Sequence, residues 1–274
     1  MSYLNAILLG LIQGLAEFLP ISSSGHLSIF QNFLNIEGAD LFFDVLLHLG
    51  TLIAVFIAYR KEIIELVRDF LSMFNRNQTE GESRAARPNR RMVLLLIVAT
   101  LPLLLVLPVK DKLESLYTNT FFIGFALIVT GLILFFADRV PKGRKSENNA
   151  TLVDALIVGV GQALAVVPGL SRSGTTISAG LSRRFDREFA IRFSFLLSIP
   201  AVLGANLLSL IDAVKEGVNW SLMPKYLIGM IVAGVSGYFA IRLLRYITQK
   251  SKFGVFAYYC WGVGLVTLIL SLFS

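Results

Sequence analysis

Gly159-Val-Gly-Gln162-Ala-Leu-Ala-Val-Val-Pro168-Gly-Leu-Ser171-Arg172-Ser173-Gly174-Thr175-Thr176 is the stretch whose reading decides the fold. It sets a polar, glycine-containing turn inside apolar sequence, and the turn carries an arginine with a hydroxyl on each side. An arginine near the middle of a bilayer is penalised by about 2.5–3.5 kcal/mol on insertion scales, so it faces a protein cavity and meets an anion there. Phosphate suits this donor set. The planar guanidinium fork matches phosphate oxygens, hydroxyls add further bonds, and a helix running from Gly174 to Leu181 would turn its positive end toward the same anion. The blander alternative is a polar helix break that lines a pore.

Working outward, the turn separates two pieces too short to span a membrane, Leu152–Val167 and Thr175–Leu181. The N-terminal part repeats the plan: Leu4–Pro20, a turn Pro20-Ile-Ser22-Ser23-Ser24-Gly25-His26, then Leu27–Leu34. Leu4–Pro20 lacks a basic start and carries Gln13 and Glu17, so it reads as part of the mature chain and not as a signal peptide. Gly10, Gln13, Leu15, Ala16, Ser22, Ser24 and Gly25 fall on Gly159, Gln162, Leu164, Ala165, Ser171, Ser173 and Gly174 at a constant offset of 149, every pair identical. Glu17, Ser23 and His26 fall instead on Val166, Arg172 and Thr175. The halves therefore share a frame and differ at their chemically strongest positions.

Each turn reads as a re-entrant hairpin, since non-helical backbone at membrane depth needs protein or a cavity around it. Three spans follow each: Leu41–Tyr59, Met92–Val109 and Phe121–Ala137, then Phe189–Ile211, Tyr226–Leu244 and Val255–Phe273. A hairpin returns to its own side and three spans do not, so the second half enters from the opposite face. The expectation is an all-α integral membrane protein, residues 1–274 forming one polytopic domain. It consists of an inverted-topology repeat, 1–138 and 150–274, each half a re-entrant helical hairpin plus three transmembrane helices whose polar turns meet near the midplane.

Composition agrees. Of 274 residues 55% are apolar and 16% charged, mean hydropathy is +0.71, and nothing outside the apolar runs is long enough for a soluble domain. The net charge of +7 does not imply nucleic acid, because the basic residues are sorted by loop. Of 25 Lys and Arg, 20 lie in Arg60–Arg91, Arg139–Lys145, Arg183–Arg192 and Arg242–Lys252, all on one side of this topology. That side is cytoplasmic by the positive-inside rule, which puts both termini and the first hairpin on the outer face. The single Cys260 has no internal partner for a disulfide.

Gln13 and Glu17 stand at i and i+4 on one helix face. Their oxygens suit a hard divalent cation, Mg²⁺ or Ca²⁺, that keeps waters and leans on substrate phosphates; Glu17 bridging to Arg172 is the alternative, and the two are compatible. His26 could serve as acid, base or nucleophile, or simply pack. Asp44 and His48, another i, i+4 pair, read as a packing or supporting pair.

Four motifs now carry a resemblance: Gln13-Gly-Leu-Ala-Glu17-Phe-Leu-Pro-Ile-Ser-Ser-Ser-Gly-His26, Phe43-Asp44-Val-Leu-Leu-His48-Leu-Gly-Thr, Pro168-Gly-Leu-Ser-Arg172-Ser-Gly-Thr-Thr176 and Phe193-Ser-Phe-Leu-Leu-Ser-Ile-Pro200. End to end, the chain resembles the undecaprenyl-diphosphate phosphatases, the bacitracin-resistance proteins. The resemblance implies hydrolysis of undecaprenyl diphosphate to the monophosphate at the outer face of a bacterial plasma membrane, recycling the lipid carrier of cell-wall synthesis with a divalent cation. It places catalysis on Glu17, Ser23, His26 and Arg172, substrate binding on Ser22, Ser24, Ser171, Ser173, Gly174 and Thr176, and the metal on Glu17 and Gln13. Gln13 stands where that family also uses Glu, which leaves one carboxylate fewer. Two attacking groups stay open: His26, favoured because neutral imidazole is nucleophilic near pH 7, or Ser23 with His26 as base. A polyprenyl diphosphate and membrane lipids are the expected partners, a homodimer is left open, and nucleic acid is not expected. Broken helices in an inverted repeat also suit a transporter or flippase of the lipid carrier; release of phosphate in detergent separates the two.

Overall fold

The computed structural model describes residues 1–34, 36, 39–72, 80–249 and 253–273. The described residues form α1 (Tyr3–Phe18), α2 (Ser23–Phe33), α3 (Leu41–Ala58), α4 (Arg60–Leu71), α5 (Glu80–Thr100), α6 (Lys110–Glu114) and α7 (Thr120–Asp138). They continue as α8 (Leu152–Leu164), α9 (Arg172–Ser182), α10 (Arg187–Glu216), α11 (Met223–Gln249) and α12 (Val255–Ser271). Among them the only β pairing is one isolated bridge, Lys145 to Phe185. The charged connector Arg60–Arg91 is helical at both ends, and its residues 73–79 lie outside the described ones.

Among the described residues five segments are long and apolar enough to cross a bilayer: Leu41–Ala58, Pro88–Val109, Thr120–Asp138, Arg187–Lys215 and Trp220–Thr248. The sixth expected span, α12, has 17 residues, about 25 Å of helix against a hydrocarbon core of about 30 Å. The outside of the bundle exposes many large apolar side chains, Leu207 at 62% and Phe239 at 60% among them, as suits a surface that faces lipid. The chain is a multi-pass, all-α integral membrane protein.

Three expected boundaries move, each for a local reason. The span expected over Met92–Val109 leaves α geometry at Thr100 and continues as 3₁₀ turns, Leu101–Leu105 and Leu107–Val109. Pro102 and Pro108 each remove a backbone donor and crowd the preceding turn, which an α-helix does not accommodate. The second arms of both hairpins start earlier than their apolar runs do, at Ser23 and Arg172 instead of Leu27 and Thr175. In each case a serine supplies the N-cap: Ser22 Oγ accepts from the Gly25 amide at 3.2 Å, and Ser171 Oγ from the Gly174 amide at 3.1 Å. His26 therefore sits within the first turn of α2 and does not precede the helix.

The hairpins are wedged among the spans by close backbone approach. A Cβ on Gly10 would strike the Gly229 carbonyl of α11, and one on its repeat mate Gly159 would strike the Ala99 carbonyl of α5. The two turns meet each other: a Cβ on Gly25 would lie 3.1 Å from the Gly169 Cα. At the basic end Asp154, fully buried, takes Lys145 at 2.7 Å and Arg183 at 2.8 Å, and its carboxylate also caps the Thr151 amide at the start of α8.

Candidate active site

Each polar turn is pinned by a helix from the other half of the chain. Thr130 of α7 donates to the Gly169 carbonyl at 3.0 Å and accepts from the Ser171 amide at 3.1 Å, and Cys260 of α12 donates weakly to the Pro20 carbonyl at 3.7 Å. Turn-to-turn bonds complete the junction. Ser173 Oγ donates to the Leu19 carbonyl at 3.3 Å, and Arg172 Nη2 donates to Glu17 Oε1 at 2.5 Å. The sequence-expected Glu17–Arg172 bridge is thus formed, joining residues 155 positions apart.

Glu17, 8% exposed, is saturated on both oxygens. Its Oε2 accepts from Ser23 Oγ at 2.6 Å and from Gln13 Nε2 at 3.2 Å, with His48 Nε2 at 3.9 Å. The i, i+4 spacing of Gln13 and Glu17 does place them together. Gln13 gives its N–H to the carboxylate, however, and its Oε1 is buried without a partner. A carboxylate that holds a serine proton on one oxygen and is fixed by an arginine on the other has the arrangement of a base aligned on its nucleophile.

His26 is placed differently. Its Nδ1 lies 2.8 Å from the Ser22 carbonyl, which can only accept, so Nδ1 carries the proton. In the neutral ring Nε2 is then the acceptor, and Tyr259 Oη donates to it at 3.0 Å with the two rings stacked at 5.6 Å. Both nitrogens of the neutral ring are therefore occupied. His26 and its ring bond brace Ser22, whose φ of 71° is a sparsely populated conformation for a residue with a side chain.

A cavity of about 610 Å³ opens on this junction. Glu17, Ser22, Ser23, Ser24, Ser171 and Arg172 line its polar side. The remaining expected binding residues are engaged elsewhere: the Gly174 amide caps onto Ser171, and Thr176 Oγ1 donates to the Arg172 carbonyl at 2.8 Å and pairs with Ser194 Oγ at 2.6 Å. Ser173 holds Leu19, as above. Asp44 and His48, read from the sequence as a packing or supporting pair, also line the cavity. Their side chains do not bond each other: His48 Nδ1 donates to the Asp44 carbonyl at 2.8 Å, while the Asp44 carboxylate accepts from Gln31 Nε2 at 3.2 Å. The signal available was an i, i+4 polar pair inside an otherwise apolar span.

The geometry defines a class: a multi-pass membrane protein with a polar cavity lined by one arginine, the carboxylates of Glu17 and Asp44, and several hydroxyls. Comparison with known proteins gives the family. Residues 6–266 match the model for the bacitracin resistance protein BacA, and the chain belongs to that family. It is 42% identical over 274 residues to an undecaprenyl-diphosphatase of Alkaliphilus metalliredigens, covering 99% of this chain and 100% of that one. Undecaprenyl-diphosphatases of Carboxydothermus hydrogenoformans and Methanosphaera stadtmanae are also 42% identical, over 274 and 275 residues, each with 98% of both chains covered.

Proposed function

We infer that this protein hydrolyses undecaprenyl diphosphate to undecaprenyl phosphate and inorganic phosphate, the reaction for which its relatives are named. The observation that carries the reading into this molecule is the Arg172–Glu17–Ser23 chain of bonds at the cavity floor. Phosphoryl transfer demands alignment and neutralisation of charge more than covalent chemistry from the protein, and this set supplies both. Substrate diphosphate displaces Glu17 from Arg172, whose fork then binds phosphoryl oxygens. Ser23 Oγ attacks the terminal phosphorus as its proton passes to Glu17, and the bond to the bridging oxygen breaks to release undecaprenyl phosphate. Water then attacks the phosphoserine phosphorus and the bond to Ser23 Oγ breaks; inorganic phosphate leaves with the water's protons, and the proton held by Glu17 returns to Ser23 Oγ. What supports Ser23 over His26 as the attacking group is its 2.6 Å bond to a base and the engagement of both His26 nitrogens. His26 holds the turn that aims Ser23.

The site fits a divalent cation held jointly with substrate. Gln13 Nε2 donates to the Glu17 carboxylate and its Oε1 is buried and unpartnered, so a turn of the amide would offer Oε1 as a second hard oxygen. Among the described residues no three His, Cys, Asp or Glu stand together as a metal site, so the remaining ligands are water and phosphate. Glu17 and Gln13 would hold the Mg²⁺ or Ca²⁺, which would supply charge neutralisation.

The halves 1–138 and 150–274 form an inverted repeat, a reading supported by paired caps at Ser22 and Ser171, paired close approaches at Gly10 and Gly159, and turns pinned by the opposite half. The cavity faces the outer side of a bacterial plasma membrane. Purified protein in detergent should release phosphate from a polyprenyl diphosphate; a preparation that binds this lipid and releases none would leave transport as the better reading.

A further inference from the structure

We propose that Gln162 is a further residue of the diphosphate site, its amide Nε2 donating to a phosphoryl oxygen held against Arg172. The proposal rests on the phosphatase reading above and adds a binding group from the second hairpin. Gln162 is 1% exposed, lines the cavity, and neither its Nε2 nor its Oε1 has a hydrogen-bond partner. A buried amide with both ends unmet carries the full desolvation penalty of its polar atoms, and such a group calls for a specific explanation. Arg172 Nη1 is buried and unpartnered as well, since only Nη2 reaches Glu17. Two buried donor groups on residues that line one cavity therefore lack acceptors, and an oxyanion is the ligand that supplies them.

The contrast with Gln13 sharpens the argument. Gln13 occupies the equivalent place in the first hairpin, and its Nε2 is taken up by Glu17 four residues on. Four residues after Gln162 stands Val166, also on the cavity wall, which accepts nothing. The amide N–H that is taken up by a carboxylate in one hairpin is open in the other. The preceding Gly161 packs on α9, the helix that carries Arg172: a Cβ at 161 would lie 3.4 Å from both Thr175 Cγ2 and Ala179 Cβ, so Gln162 stands beside the N-terminal half of that helix. Here Gln162 is a binding residue that touches substrate; the proton transfer stays with Ser23 and Glu17.

The test uses full-length protein in detergent, with phosphate release from a polyprenyl diphosphate and the melting temperature measured with and without inorganic pyrophosphate. Gln162→Leu keeps the volume and removes both polar atoms. The expected result is an unchanged or higher melting temperature without ligand, a smaller pyrophosphate-induced rise than in the parent, and kcat/KM lower by about tenfold or more. Unchanged kcat/KM overturns the proposal, and so does a lower melting temperature, because it shows that the amide has a structural partner. Gln162→Glu is the second variant. It keeps the side-chain shape and sets a carboxylate against the diphosphate, so its KM should rise more than its kcat falls; parent-like KM overturns the proposal. Failure of the phosphatase reading is separate, because there the parent itself releases no phosphate while pyrophosphate still raises its melting temperature through Gln162.

Discussion

Glu17 is the residue on which the junction turns, because it holds the proton of Ser23, the guanidinium of Arg172 and the amide of Gln13 at once. Glu17→Gln keeps the size and loses the base, so kcat should fall by roughly 10²- to 10⁴-fold, the usual contribution of general acid–base catalysis. Parent-like turnover in this variant would reassign the carboxylate to structure. Chelation should abolish activity, and added Mg²⁺ or Ca²⁺ should restore it; chelator-resistant turnover removes the cation from the reaction. Arg172→Lys retains the charge and gives up the planar fork, which removes one charge-assisted bond of roughly 2–3 kcal/mol and lowers kcat/KM by about two orders of magnitude. The attacking atom can be read directly. An acid-stable phosphoserine lost in Ser23→Ala is the expected trapped species, and an acid-labile, base-stable phosphoenzyme lost in His26→Ala would place the chemistry on histidine instead.

Hairpins are the elements that bring these residues together, and their turns tolerate little added volume. Gly169 has φ +88°, and a Cβ there would stand 2.7 Å from the Ala126 side chain and 2.9 Å from the Ile123 carbonyl of α7. Gly169→Ala should therefore destabilise the protein by roughly 1–3 kcal/mol and lower activity with it, read as detergent-solubilised unfolding and phosphate release. A variant of parent stability would mean that the turn relaxes away from α7. At this scale much was legible in the sequence. Polar turns between half-length apolar pieces announce hairpins, and the identical serines and glycines at Ser22, Ser24, Gly25 and Ser171, Ser173, Gly174 predict equivalent turns. The start of α2 and α9 was not, because apolar periodicity does not register an N-cap serine at the head of a polar first turn. Nor were the partners of the His26 ring, since the three-residue spacing to Ser23 does not reveal that Tyr259, more than two hundred positions away, meets its second nitrogen. Long-range partners of polar side chains decide chemistry, and they are set by packing that local sequence does not encode.

For the whole molecule, the decisive property is the side from which each hairpin enters, and the distribution of cations argues it. Twenty of the 25 Lys and Arg fall in loops assigned to one side, and the basic end is tied together there by Asp154 with Lys145 and Arg183, and by Arg192 with Glu62 at 3.4 Å. Moving such an end outward opposes the positive-inside bias of insertion. In the proposed topology one hairpin, which returns to its side, and three crossing segments lie between Ser2 and Lys142: α3, the α5–3₁₀ segment and α7. An odd number of crossings puts these positions on opposite faces. From Lys142 to Asn219 the chain passes a second hairpin and α10 alone, so Asn219 rejoins the side of Ser2. In a Cys260→Ser background, which removes the one native thiol, Ser2→Cys and Asn219→Cys should react with an impermeant maleimide in intact cells, and Lys142→Cys only after lysis. All three positions are exposed, so failure to label reports the membrane and not burial. Labelling of Lys142→Cys alone in intact cells would invert the protein and put the cavity inside. Labelling of Asn219→Cys with Lys142→Cys, and apart from Ser2→Cys, would mean that α10 does not cross. That outcome would break the inverted repeat even though the turns still meet, because the second hairpin would then be carried by a half that lacks its first span.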